Sequence, residues 1–287
     1  MSQIIIRKAS LNDLDALEEI KESVGWNQTI TDWAFFLQFF PHYCLVAAAE
    51  NQVVGTVTAV EYDEKIAWIG MMIVAEKYRG QGISRRLMAE ILNLTSHLPT
   101  IKLDATIAGR KVYQSLDFKD EYTISRMVSD LLFLPEFDDY EENVSVAYQW
   151  DLPVMAEYDQ QKFGANRMVL FDHLYNNAPY TFYKAMKRGK VTGHIMSRKG
   201  SNFHQIGPLV ANSFKDAKNL LVAALNEPAQ KFEKIVVDVM THQQDMIDVL
   251  RKIGFAEERQ FTRMYYQTNQ YPGKPQQVYL AAGPEYG

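Results

Sequence analysis

An apolar run ending in MMIV (Met71–Val74) is followed by Arg79-Gly80-Gln81-Gly82, and the helix-like pattern ISRRLMAEIL starts at once. The first turn of a helix presents N–H groups without intrahelical partners at the positive end of its dipole. The chemistry on offer is therefore anion binding. Glycine helps by letting the backbone approach an anion with no Cβ in between. Arg79 is placed to pair with a phosphate through a charge-assisted contact. Arg85 and Arg86 put positive charge in the first helical turn, an unfavourable placement that a nearby anion would offset. The competing reading of the glycines is an ordinary strand-to-helix turn. A second stretch, VGWNQTITDW (Val24–Trp33), sets Trp26 and Asn27 in a loop-like context. With Trp33 they would make an aromatic wall with a polar tip, suited to a cationic or amphipathic amine. Trp33 heads an apolar face continued by Phe36 and Phe40 and reads as core.

The chain has 287 residues, 47% hydrophobic and 23% charged, enough for one large domain or two of ordinary size. A net charge of −5 argues against a nucleic-acid partner, which usually demands a basic surface. The single cysteine, Cys44, lies in an apolar strand-like run. It reads as a small core residue in a reducing compartment. The six histidines are scattered, without HExxH or a Cys/His cluster, so no metal is expected. The N-terminus MSQIIIRKASLND lacks the apolar core of a signal peptide. No apolar run approaches the roughly twenty residues that cross a bilayer. These features together lead us to expect a cytoplasmic location and no membrane partner.

Those chemical stretches need elements to hold them. QIIIRKAS has strand periodicity and LNDLDALEEIKESV an amphipathic helical one. TITDWAFFLQFF predicts a helix opened by a Thr29/Asp32 capping box and closed by Pro41. CLVAAAENQVVGTVTAVEY predicts a hairpin turning at Glu50-Asn51, and KIAWIGMMIV the next strand. After the glycine loop come a helix over 82–96, the strand TIKLDAT, a helix through AGRKVYQSL, and strands near FKDEY and ISRMVSDLLF. LPEFDDYEEN, residues 134–143, is acidic and reads as an exposed linker.

The second half then repeats the first in outline. KIVVDVMTHQQDMIDVLRKIGFAEERQFTRMYY echoes TIKLDATIAGRKVYQSLDFKDEYTISRMV, with Phe118, Arg126 and Met127 recurring at the same spacing as Phe255, Arg263 and Met264. GKVTGHIMSRKG and FHQIGPLVA match the hairpin and strand before the glycine loop, but the following helix start, Asn212–Ala217, has no glycine. The expected organisation is 1–133, a linker 134–143, and 144–287 as a degenerate second copy.

A dinucleotide site would need G-x-G-x-x-G with an acidic residue about twenty positions on. Gly80, Gly82 and Asp104 imitate this, yet Arg85 stands at the third glycine position and no series of βαβ units follows. Arg79-Gly80-Gln81-Gly82-Ile83-Ser84 instead resembles the Q/R-x-x-G-x-G/A loop of the GNAT-superfamily acetyltransferases, departing only at Ser84. The resemblance spans about Ile4–Leu132, and LDATIAGRKVYQSLDF is similar to the family's next strand and helix, with Asp117-Phe118 replacing its Gly-Phe. The whole chain, with its ending AAGPEYG, is similar to a bacterial subfamily carrying a second, degenerate GNAT-like domain.

The resemblance implies a fold of class α/β (α+β): two tandem domains, each a mixed, largely antiparallel sheet flanked by helices. It implies acetyl-CoA as co-substrate. The backbone of Arg79, Gly80, Gln81, Gly82, Ile83 and Ser84 would bind its pyrophosphate. The splayed strand with Met72, Ile73 and Val74 would bind its pantetheine arm. Tyr113 matches a phenol facing the cofactor sulfur, and a phenol with pKa near 10 is protonated at neutral pH and suited to a departing thiolate. Leu250 stands at the corresponding place in the second copy. Trp26 and Asn27 would border the acceptor, expected to be a small-molecule primary amine attacking directly in a ternary complex. The general base is unassigned, with Glu61, Tyr62, Asp63 and Glu64 at a strand end as options. A CoA-liganded sensor or scaffold, acetylation of a protein lysine or N-terminus, and a homodimer all stay open.

Overall fold

The computed structural model describes residues 3–50, 52–130, 143–178, 182–226 and 234–287. The expected linker lies outside these apart from Asn143, as does Asn51 of the first hairpin. The first half runs β1 (Ile4–Lys8), α1 (Leu14–Glu22), α2 (Ile30–Phe39), β2 (Cys44–Ala49), β3 (Gln52–Tyr62), β4 (Ile66–Val74), α3 (Ile83–Leu94), β5 (Thr100–Thr106), α4 (Ile107–Gln114) and β6 (Phe118–Ser129). The second runs β7 (Val144–Val146), α5 (Leu152–Phe163), α6 (Met168–Asn177), β8 (Tyr183–Lys187), β9 (Lys190–Lys199), β10 (His204–Ala211), α7 (Phe214–Asn226), β11 (Ile235–Met240), α8 (Gln244–Lys252), β12 (Ala256–Asn269) and β13 (Val278–Leu280).

Local chemistry accounts for many boundaries. The α2 capping box is present: the Asp32 carboxylate accepts the Thr29 N–H at 2.7 Å, and Thr29 Oγ1 accepts the Asp32 N–H at 3.4 Å. Helix α3 buries Ile83, Leu87, Met88 and Ile91, a one-sided stripe that packs on β3. Its approach is close because Gly55 has no side chain; a Cβ there would meet Ile83 and Leu87 at 3.2 and 3.3 Å. Cys44 is buried, and its desolvation pushes the thiol pKa up to about 12, as fits a core residue.

Among the described residues, thirteen strands join one sheet in the order β1-β2-β3-β4-β5-β12-β6-β11-β13-β10-β9-β8-β7. Pairing is antiparallel except β4 with β5 and β10 with β11. The two halves exchange their late strands. β12 lies against β5 of the first half, and β6 lies against β11 of the second. Two buried ion pairs follow the exchange: Arg126 on β6 grips Asp238 at 2.8 and 2.7 Å, and Arg263 on β12 grips Asp104 at 2.9 Å twice. Each repeated arginine thus finds its carboxylate in the opposite half.

Strands also part twice. β4 pairs with β5 only as far as Ile69–Leu103, leaving the β5-facing backbone of Gly70–Val74 without a strand partner. The divergence starts at a bulge where Met71 has φ +51° and its carbonyl accepts the Thr56 hydroxyl at 2.5 Å. β10 pairs with β11 only as far as Ile206–Val237, and there β13 enters between them, pairing Leu280 with both Leu209 and Val239. The chain then returns to the first half. The Trp68 indole N–H donates to the Pro284 carbonyl at 2.9 Å, Tyr62 donates to the Tyr286 carbonyl at 3.0 Å, and the Tyr286 ring stacks on Phe36 at 5.5 Å.

Candidate active site

The parting of β4 and β5 opens a cleft lined by Met72, Ile73, Val74, Tyr78, Arg79, Gly80, Gly82, Ile83, Ser84 and Tyr113. Gly80 and Gly82 take φ +77° and +75°, a region costly for residues with a Cβ. A Cβ on either would meet no atom within 4 Å, so protein packing does not demand their smallness. Gly82 caps α3 without a side chain, leaving the first-turn N–H groups facing outward. Uncapped N–H groups at the positive end of a helix dipole are donors suited to an anion, and the open edge of β4 runs up to them. The Arg79 Nε donates to the Val74 carbonyl at 3.1 Å, which fixes the loop to the strand end. Arg86 donates to the Ile4 carbonyl at 3.0 Å, so main chain occupies this first-turn arginine. Gln81 reaches the Lys77 carbonyl at 3.5 Å.

A second, more enclosed cavity lies deeper, lined by Trp26, Asn27, Gln28, Gly70, Met72, Asp104, Thr106, Tyr113, Arg126, Arg259, Phe261 and Glu285, among others. Trp26, Met72, Thr106 and Tyr113 line both spaces and so mark where they meet. Tyr113 sits on α4, and its ring lies over Gly109, where a Cβ would stand 3.0 Å from Cε2. Burial pushes its pKa up to about 12, which keeps the phenol protonated across the physiological range.

The structure therefore brings together Met72, Ile73, Val74, Arg79, Gly80, Gly82, Ile83, Ser84, Tyr113 and Trp26, whereas Gln81 lines neither space. Asn27 also borders the inner cavity, but its amide is engaged: Nδ2 donates to the Phe203 carbonyl at 3.1 Å, and Oδ1 accepts the N–H groups of Asn202 and Phe203 at 3.0 Å each. It clamps the β9–β10 turn of the second half against the first. The strand-end options for a base lie elsewhere. Glu61 accepts the Tyr43 hydroxyl at 2.7 Å, Tyr62 is buried in the core, and Asp63 pairs with Lys65 at 2.5 Å. None of Glu61, Tyr62, Asp63 and Glu64 lines either space.

Sequence reasoning assigned no site role to Thr106, Arg126, Arg259 or Glu285, and considered Asp104 only as part of the dinucleotide pattern. Asp104 and Arg126 carried a legible signal, being charged residues inside strongly apolar strand runs. Among the described residues no group of three His, Cys, Asp or Glu side chains is arranged to hold a metal.

Two acetyltransferase (GNAT) domain families match the chain, one over residues 41–120 and the other over 155–280. The chain belongs to the GNAT acetyltransferases. It is an N-acetyltransferase built from two GNAT-like domains. The holothin acyltransferase of Pseudoalteromonas sp. (strain SANK 73390) is 21% identical over 90% of this chain and 86% of its own length. The L-2,4-diaminobutyric acid acetyltransferase of Marinococcus halophilus is 27% identical over 50% of this chain and 89% of its own. A candidate acetyltransferase from Pyrococcus horikoshii shares the fold with a TM-score of 0.83 at 22% identity, covering 99% of this chain and 96% of that one. GNAT acetyltransferases use acetyl-CoA, and the uncapped N–H groups at the start of α3 and the unpaired edge of β4 are donors of the kind that a phosphate-bearing arm requires. Among the described residues no helix is long and apolar enough to cross a membrane.

Proposed function

We propose that the first half binds acetyl-CoA in the outer cleft and transfers its acetyl group directly to the primary amine of a small molecule held in the inner cavity. The second half shapes that cavity, and the enzyme works in the cytoplasm. The observation that carries this reading is the junction of the two spaces at Trp26, Met72, Thr106 and Tyr113. Residues 79–84 and the strand edge 72–74 would hold the co-substrate, which supplies an acetyl group activated as a thioester.

The protein's own contributions follow from its groups. Backbone N–H donors on the unpartnered edge of β4 are fixed dipoles, able to polarise a carbonyl without reorganising during reaction. Tyr113 keeps its proton at neutral pH and gives it to the departing sulfur. The inner cavity, of about 120 Å³, favours a small acceptor. Its wall carries the Arg259 guanidinium, whose ion pair with Glu258 is long at 3.9 Å. An acceptor bearing a negative group beside its amine suits that wall, and L-2,4-diaminobutyrate, the substrate named for one relative, has both.

The test is calorimetric titration with acetyl-CoA, followed by CoA release with L-2,4-diaminobutyrate and n-butylamine as probe amines. One site per chain and amine-dependent release are expected. Binding without release by either amine would favour a CoA-liganded sensor, and absence of binding would remove the reading.

A further inference from the structure

The inner cavity is lined by two carboxylates, Asp104 and Glu285. Asp104 is spent, with both oxygens held by Arg263 at 2.9 Å. Glu285 is not. Its Oε1 accepts from Arg198, while Oε2 has no hydrogen-bond partner although the residue is only 2% exposed. Arg198 is itself divided, because it also donates to Asp32 Oδ2 at 2.9 Å. The other Asp32 oxygen accepts the Tyr286 hydroxyl at 2.8 Å and faces His173 Nε2 at 3.1 Å. One guanidinium thus serves two buried carboxylates, and the second oxygen of Glu285 is left without a donor. A buried charge without a partner is costly, so the cluster favours a cationic ligand.

Position agrees with charge. Gly70 is the first residue of β4 beyond its last pair with β5, and a Cβ there would stand 2.9 Å from the Glu285 Cα. Glu285 is therefore built into the point where the strands part, in a cavity that Tyr113 shares with the outer cleft. Burial raises its carboxyl pKa, Arg198 on β9 lowers it, Asp32 on α2 raises it again, and the neighbouring Gln28 amide lowers it. Arg126 on β6 and Tyr62 on β3 also feel its charge. The net direction is upward from the ordinary carboxylate range, with burial the largest cause.

We propose that Glu285 is the base of the acceptor site: its free Oε2 receives the acceptor's ammonium group and takes one proton from it, freeing the nitrogen lone pair for attack. This rests on the function proposed above. The proton ledger closes. Glu285 takes the first ammonium proton and passes it to water; as the C–N bond forms and the C–S bond breaks, the nitrogen loses a second proton, replacing the one Tyr113 gives to sulfur. The products are an amide, free CoA and one released proton.

The experiment uses the full chain carrying Glu285→Gln, with Glu285→Asp as a second variant that keeps the charge beside Arg198. Acetyl-CoA titration comes first, because its failure in the wild type would sink the proposed function whatever Glu285 does. With CoA bound, n-butylamine is then titrated as the probe; it carries only the group that Glu285 would hold. Glu285→Gln should weaken n-butylamine at least 10-fold and leave acetyl-CoA affinity within 2-fold, with Glu285→Asp in between. Where the probe amines are turned over, Glu285→Gln should lower kcat about 100-fold and abolish the acidic limb of the pH profile. No n-butylamine binding by the wild type, or equal binding by both variants, overturns the assignment.

Discussion

After Ile69, β4 leaves β5 and the gap between them is an open cleft; after Ile206, β10 leaves β11 and β13 lies in the gap. The helices that follow differ in the same sense. α3 starts at Gly82 in a left-handed conformation with no side-chain cap, whereas before α7 the Ser213 hydroxyl accepts the Asp216 N–H at 3.2 Å. One half thus leaves a strand edge and an uncapped helix start, while the other fills its gap with a strand and caps its helix with a serine. A fold repeated twice in a chain makes a site only where its backbone groups are left for a ligand.

Breaking what the halves share should cost most. Asp104→Ala leaves Arg263 buried and unpaired, and we expect a loss of about 3–5 kcal/mol in chemical denaturation. Asp238→Ala should cost about as much through Arg126, because the exchange places both pairs at the same seam. Unequal losses would show that the halves do not depend equally on it. Leu280→Ala, in the strand that fills the second gap, should cost about 2–5 kcal/mol and leave the stoichiometry at one acetyl-CoA per chain. A second site appearing in that variant would mean that β13 alone keeps the second cleft shut.

The open cleft is tested by smaller changes. Gly82→Val puts a Cβ into open space at φ +75°, straining the loop by about 1–2 kcal/mol. Acetyl-CoA affinity should fall about 100-fold in calorimetry, a loss of about 2.7 kcal/mol, with no change in stoichiometry. Tyr113→Phe should lower kcat by about 100-fold at most while acetyl-CoA binding persists. Unchanged turnover would give the proton delivery to water.

Much of this was legible because it is local. The Thr29/Asp32 cap, the hairpin into β3, the strand before the loop and the glycines themselves are each specified within a few residues. The repeat was legible too, down to Arg126 and Arg263 at matching positions. What the repeat concealed is where those arginines find their partners. Strand exchange depends on pairing between residues more than a hundred positions apart, and nothing in β6 or β12 alone says which neighbour each takes. β13 and Glu285 were missed for a related reason. Three strand residues and one glutamate in AAGPEYG carry no periodicity, and their meaning comes from the gap and the cavity they reach.

Acid offers the mildest way to separate the halves. The parallel pairing opens at Ile66 in the first half and at His204 in the second. His204 is buried, its Nε2 lies 2.7 Å from the Ser197 hydroxyl, and burial together with the Arg198 charge lowers its pKa to about 4. An unfolded histidine titrates near 6.5, so between these values the unfolded chain binds the extra proton and stability falls as the pH falls. The contribution is whole above about pH 6.5 and is lost progressively towards pH 4, at up to about 1.4 kcal/mol per unit. From pH 6.5 to 5.5 we expect a loss of about 1 kcal/mol in the wild type that His204→Gln does not share. Hydrogen exchange should show it first at β9 and β10, ahead of β3 and β4. Equal acid loosening of both halves would place the sensitive group outside the second half's sheet.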